Sequence, residues 1–170
     1  MRTVLTLVTL LFLLVACGVP PAPEPAPEPE AHPIVGVWAV ASLTSTDAEG
    51  VETVNDNPQP GLYIFTGSHY SVTFVPGSEP REQFAGGIWP MGDAIPTDEE
   101  QLTAYARFVS NAGTYAISGS TLTTDPVVAK HPNFMAQGIN TYEFSVDGDT
   151  LQLTGEQGEN TTQVTLTRIE

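Results

Sequence analysis

Ile34-Val35-Gly36-Val37-Trp38-Ala39-Val40-Ala41-Ser42-Leu43 is the first stretch after a Pro-rich tail that is able to bury anything. Branched and aromatic side chains crowd it, and such residues fit a pleated, half-buried surface. Trp38 is its largest residue, and Gly36 stands two positions before it. The stretch reads as the opening strand of a barrel, with Trp38 plugging one end.

Upstream, the composition changes character. Arg2 gives a short positive start, and Val4 to Val15 form an apolar run broken only by Thr6 and Thr9. That run is too short to span a bilayer and fits a signal-peptide core. It ends in Leu14-Val15-Ala16-Cys17-Gly18, which resembles a bacterial lipobox. The resemblance implies cleavage before Cys17 and lipidation, including palmitate, of its thiol. Several acyl chains hold a protein stably on a membrane where one does not. Gly18 occupies the position where an Asp would mark inner-membrane retention, so an outer membrane is favoured where the cell has two. Val19 to Pro33 is rich in Pro, which fixes φ and removes donors, so an extended spacer is expected there. At about 3.1 Å per residue it would hold a domain roughly 40 Å from the bilayer. The expected organisation is therefore a signal peptide over 1–16, a lipidated Cys17 and spacer over 17–33, and a domain over 34–170. His32, at the spacer's end, is expected to be solvated.

Downstream, strand signals recur between turn residues. Gly61 to Thr66 and Tyr70 to Val75 flank Gly67-Ser68. Thr114 to Ile117 and Thr121 to Val128 flank Ser118-Gly119-Ser120. Thr141 to Val146 and Thr150 to Thr154 flank Asp147-Gly148-Asp149, the strongest hairpin signal in the chain. A final strand runs from about Thr161 to Ile169. Tyr70, Val72 and Phe74 share one face, as do Tyr142, Phe144 and Val146, and Val164, Leu166 and Arg168. With the opening strand the count is about eight, which predicts an all-β, antiparallel barrel. One helix is expected from Asp98 to about Asn111. Thr97 and Glu100 make its capping box, and Leu102, Tyr105, Ala106 and Val109 make an apolar stripe expected to pack on the barrel. Gly113 is read as the terminator. Pro76 to Pro96 and Lys130 to Met135 read as loops, the first carrying Phe84, Ile88, Trp89 and Met91.

Charge narrows the function classes. The formal charge is −15, from 5 basic and 20 acidic residues. Such a balance does not suit nucleic acid, which needs a basic patch. Cys17 is the sole cysteine, so no disulfide or thiol metal site is available to the folded part. His32, His69 and His131 lie far apart without ligand spacing, so no metal site and no cofactor are expected.

Several segments together resemble the bacterial lipocalin-like domain family. They are Val35-Gly36-Val37-Trp38, Pro60 to Thr66, Asn111-Ala112-Gly113-Thr114-Tyr115, His131-Pro132-Asn133 and Phe144 to Leu151. The resemblance spans essentially all of 34–170. It implies that Gly36-Val37-Trp38 is a Gly-x-Trp of the barrel's first strand, with a basic residue of the last strand covering the indole. Arg168 is the only basic residue on that last strand, so it is expected to stack on Trp38. A barrel of this size is either filled or holds one small ligand. The candidate lining residues are Tyr63, Tyr70, Phe74, Trp89, Tyr115, His131 and Tyr142. The favoured reading is a membrane-anchored, monomeric envelope protein binding a small hydrophobic or amphipathic molecule. Its rivals are an isomerase or hydrolase with His131 or a Tyr as proton carrier, and a packed-barrel interaction module. No catalytic residue is singled out.

Overall fold

A computed structural model describes residues 31–83 and 96–170. The lipobox with Cys17, the Pro-rich run up to Glu30, and the aromatic loop segment with Trp89 lie outside the described residues.

Ile34 to Leu43 does open a strand, β1 (Gly36–Thr46). The strands that follow are β2 (Glu52–Asn55), β3 (Leu62–Phe65), β4 (His69–Phe74), β5 (Val109–Ser118) and β6 (Thr121–Ala129), then β7 (Asn140–Asp147), β8 (Thr150–Gln157) and β9 (Asn160–Arg168). The helices are α1 (Asp98–Ala106) and α2 (Pro132–Gln137). Every neighbouring pair is antiparallel, and β1 pairs with β9 to close the sheet. Eight strands, β1 and β3 to β9, complete the barrel. The ninth described strand, β2, pairs only with the second half of β1, at Leu43 to Thr46. The first half of β1, Gly36 to Ala39, pairs with β3. Residues 31–170 form one compact unit that contains all of these pairings, so the barrel closes on its own contacts.

The opening stretch does not alternate cleanly, and the ladder explains why. Val40 faces Leu166 on β9 while Ser42 faces Thr165, so Ala41 is an extra residue. This bulge shifts parity, which lets Trp38, Val40 and Leu43 all point inward. The Asp147–Thr150 pair leaves a two-residue turn with Gly148 at φ +56°, the pattern of a type II′ hairpin.

The two ends of the barrel are built differently. At one end Ile34, Trp38, Leu122, Leu151 and Leu166 are fully buried. The Trp38 Nε1–H donates to Ile34 O at 2.8 Å. The Arg168 Cζ lies 4.0 Å from the Trp38 ring centroid, and Trp38 and Arg168 are directly paired across β1 and β9. Arg168 also donates to Val35 O at 2.8 Å and to Pro33 O. Contacts therefore reach back into the end of the expected spacer, where the exposed His32 ring lies edge-on to Phe144 at 5.8 Å. Gly36, at φ +144°, admits this arrangement: a Cβ there would stand 2.5 Å from Arg168 Nη1 and from Glu170 O.

The other end stays open because one ladder stops short. β6 and β7 pair only from Thr121 to Thr124 against Asn140 to Glu143. Beyond Thr124 comes Pro126, which cannot donate to a ladder. A second bulge falls there, with Ala112 facing Val128 and Gly113 facing Pro126. A Cβ on Gly113 would lie 2.0 Å from Asp125 O, so Gly113 serves close strand approach and does not terminate a helix.

Two further expectations are corrected here. α1 ends at Ala106, and Val109 belongs to β5, opposite Phe74. The capping box is present, with Thr97 N–H to Glu100 Oε2 at 2.7 Å and Glu100 N–H to Thr97 Oγ1 at 3.3 Å. The stripe does not pack on the barrel, since α1 has no buried residue and Leu102 is 69% exposed. Pairing with β4 takes Val109 into the sheet and leaves Leu102 and Tyr105 without a fourth partner. The 130–135 segment is not a plain loop, because Pro132 opens α2 at a position where a missing N–H costs nothing.

Candidate functional site

The open end holds a cavity of about 640 Å³. Its walls come from inward positions of the barrel strands. Tyr63 and Phe65 of β3, Tyr70, Val72 and Phe74 of β4, and Val109 and Asn111 of β5 line one side. Leu122 and Thr124 of β6, Asn140 and Tyr142 of β7, Leu153 of β8 and Val164 of β9 line the other. Phe134 and Gln137 of α2, with Ile139, stand at the rim. They occupy the gap left where β6 and β7 part. A smaller crevice of about 150 Å³ lies between Arg81–Glu82 and α1, lined by Thr97, Arg107 and other residues outside the barrel strands.

The interior is mostly apolar, with a few hydroxyls at depth. Tyr70 and Thr124 are each only 4% exposed. Among the described residues, neither Tyr70 OH nor Thr124 Oγ1 makes a hydrogen bond. Burial pushes the Tyr70 phenol up to about 12. Burial also raises Tyr63 and Tyr142, and the Tyr142 phenol adds to the rise at both Tyr63 and Tyr70. The Thr124 hydroxyl pulls the other way on Tyr70 and Tyr142. It is therefore near both phenols, although the Tyr70–Thr124 pair falls outside hydrogen-bonding geometry. All three phenols are neutral at neutral pH. Tyr142 owes its position to Gly155 opposite, where a Cβ would meet the ring at 2.8 Å.

Of the seven candidate lining residues, the structure brings Tyr63, Tyr70, Phe74 and Tyr142 into this cavity. Tyr115 lies elsewhere: its ring sits edge-on to Phe65 at 5.4 Å and its hydroxyl donates to Thr66 O at the closed end. Burial raises its pKa too. His131 is exposed and does not line the cavity; its Nδ1 accepts from Asn133 N–H at 3.3 Å and caps α2. Trp89 lies outside the described residues. The residues that the sequence reading missed include the polar Thr124 and Asn111. Thr124 could have been found from the Ser118-Gly119-Ser120 hairpin, because a two-residue turn there sets Tyr115 opposite Thr124. Asn111 was assigned to the helix.

The strand order, β1 next to β9 and otherwise nearly sequential, is that of an up-and-down barrel, the arrangement of lipocalins. No family model matches this chain, and no curated protein matches it. Among solved structures it is similar to a lipocalin-like protein from Bacteroides uniformis, at 12% identity and a TM-score of 0.44, over 81% of this chain and 100% of that one. It is also similar to an uncharacterized protein from Bacteroides eggerthii, at 10% identity and a TM-score of 0.40, over 79% of this chain and 98% of that one. The closed antiparallel barrel is shown by the chain's own strand order and its β1–β9 closure.

Proposed function

We propose that this protein is a lipid-anchored envelope protein whose barrel binds one small hydrophobic or amphipathic molecule. The observation that carries the binding half is the cavity of about 640 Å³ at the open end. A volume of that size falls within the range of small-molecule pockets, which are concave, mainly apolar and furnished with a few polar groups. Apolar walls from Phe65, Val72, Phe74, Leu153 and Val164 surround the buried hydroxyls of Tyr70 and Thr124. Stacking of Arg168 on Trp38 seals the far end, so a ligand enters from the α2 side. The anchoring half rests on the sequence Leu14-Val15-Ala16-Cys17.

Two measurements test the halves separately. The 31–170 barrel unit is titrated with Nile red, a neutral apolar dye, and the producing cells' own lipids are sought by solvent extraction and mass spectrometry. One bound molecule per chain is expected; a barrel that takes up neither dye nor lipid defeats the binding reading. Labelled palmitate should enter the full chain and vanish in Cys17→Ser. Label retained in that variant defeats the anchor.

A further inference from the structure

The chemistry of the cavity narrows what it accepts, and this step rests on the binding reading above. We infer that the cavity selects molecules whose polar end is an uncharged hydrogen-bond acceptor, such as an amide, ketone or alcohol, and rejects carboxylates. Three observations on the chain's charges and hydroxyls carry this.

First, the barrel offers an anion no cationic partner. The sequence has 5 basic residues, and Arg2 lies in the expected signal peptide. Arg168 is at the sealed end, held by Val35 O, Pro33 O and the Trp38 face. Lys130 is committed to the Tyr105 and Phe108 carbonyls. Arg81 stacks over Phe108 at 5.2 Å and, with Arg107, borders the outer crevice beside α1. The sequence between 84 and 95 contains no Lys, Arg or His. A carboxylate brought inside would be buried without a counter-ion, which costs far more than burying a neutral group.

Second, the rim is acidic. Glu156, near the end of β8, borders the opening, and Glu143, lower on β7 opposite Thr121, also lines the wall; both are exposed. Glu143 stays in place because Ser120 and Thr121 donate to its carboxylate at 2.8 and 2.9 Å. An approaching anion meets like charge before it meets the cavity.

Third, the depth of the cavity offers donors. The Tyr70 and Thr124 hydroxyls are buried and unsatisfied among the described residues. Buried polar groups are almost always paired, so orphans lining a cavity mark a place where a partner belongs. Two hydroxyl donors match a carbonyl or hydroxyl oxygen.

The experiment uses the 31–170 unit with Nile red bound, and displaces the dye with decanamide or with decanoate at pH 7.5. The two compounds share a chain length and differ at the head. Decanamide is expected to displace the dye at a concentration at least about ten-fold below that of decanoate. Tyr70→Phe and Thr124→Val should each weaken decanamide several-fold and narrow the gap. Both variants should also leave the empty barrel as stable as before or more so, since each deletes an unsatisfied group. Decanoate matching or beating decanamide overturns the head-group inference while dye binding keeps the wider reading alive. Decanamide failing to displace bound dye, or equal amide affinity in both variants, overturns it too. Failure of the dye itself to bind overturns both readings together.

Discussion

Replacing Arg168 by Lys keeps the charge and removes the planar fork. The guanidinium lies 4.0 Å from the Trp38 ring centroid while its two terminal nitrogens reach Val35 O and Pro33 O. A lysine nitrogen is one compact point and cannot cover the ring and both carbonyls at once. One charge-assisted hydrogen bond is lost, about 1.5–3 kcal/mol, with part of a cation–π contact of about 0.5–2 kcal/mol. The Asp149 pair, at 3.8 Å, adds almost nothing, because Asp149 is 82% exposed. Some of the loss is returned by water, since the Arg168 side chain is 24% exposed. A net loss of about 2 kcal/mol follows, which for a domain of this size lowers Tm by roughly 6–8 °C. Thermal unfolding of the 31–170 unit by circular dichroism reads this directly. A cycle with Trp38→Phe isolates the ring contact, with an expected coupling of about 1 kcal/mol. A Tm for Arg168→Lys within about 1 °C of the parent, or strictly additive single variants, would refute the reasoning.

Two other outcomes follow from the cavity. Gly155→Ala sets a Cβ within 2.8–2.9 Å of the Tyr142 ring, which must swing into the cavity. Urea midpoints should fall by the equivalent of about 1–3 kcal/mol, and Nile red affinity should drop with them. The phenols of Tyr63, Tyr70, Tyr115 and Tyr142 are all raised by burial. The unfolded chain ionises near pH 10 and the native barrel later, so their stabilisation is complete below pH 10 and disappears as pH climbs through the native values. Phenolate absorbance should therefore lag in the native state and rise together with loss of the circular dichroism signal.

How far the sequence reached depended on what kind of force set each feature. Hairpins at Gly67-Ser68, Gly119 and Gly148 were legible because turn chemistry is local. The start of α1 was legible for the same reason, as Thr97 and Glu100 bond within one turn. Its end was not, because Val109 satisfies both a helical stripe and a strand, and only the Phe74–Val109 pairing decides between them. β2 escaped notice because Glu52, Thr53 and Val54 are all exposed and carry no burial pattern. Within the site, Tyr70 and Phe74 were found through simple alternation, whereas Thr124 depended on a register fixed by partners on both sides. Tyr115 alternated with Thr114 just as plausibly and stands opposite Thr124, yet its ring packs edge-on to Phe65 and its hydroxyl goes to Thr66 O. Periodicity yields a face; which residues meet across the strands comes only from the ladders.

That distinction explains why the two ends carry different kinds of residue. At the closed end the Trp38 indole has Ile34 O as its partner, and the Arg168 guanidinium has two carbonyls. Gly36 is required there because the guanidinium and Glu170 O occupy the space of a side chain. Such satisfaction needs chain from both termini to converge, which the β1–β9 closure supplies. At the open end the ladder between β6 and β7 stops at Thr124, whose hydroxyl remains buried without a bond among the described residues. An apolar residue at 124 or 70 would have removed the 1–3 kcal/mol that each orphan hydroxyl costs. Valine and phenylalanine fit those two positions sterically, so the hydroxyls are not there to fill volume. Stability alone would favour their loss; a ligand bonded to them, as proposed above, would supply the compensating term.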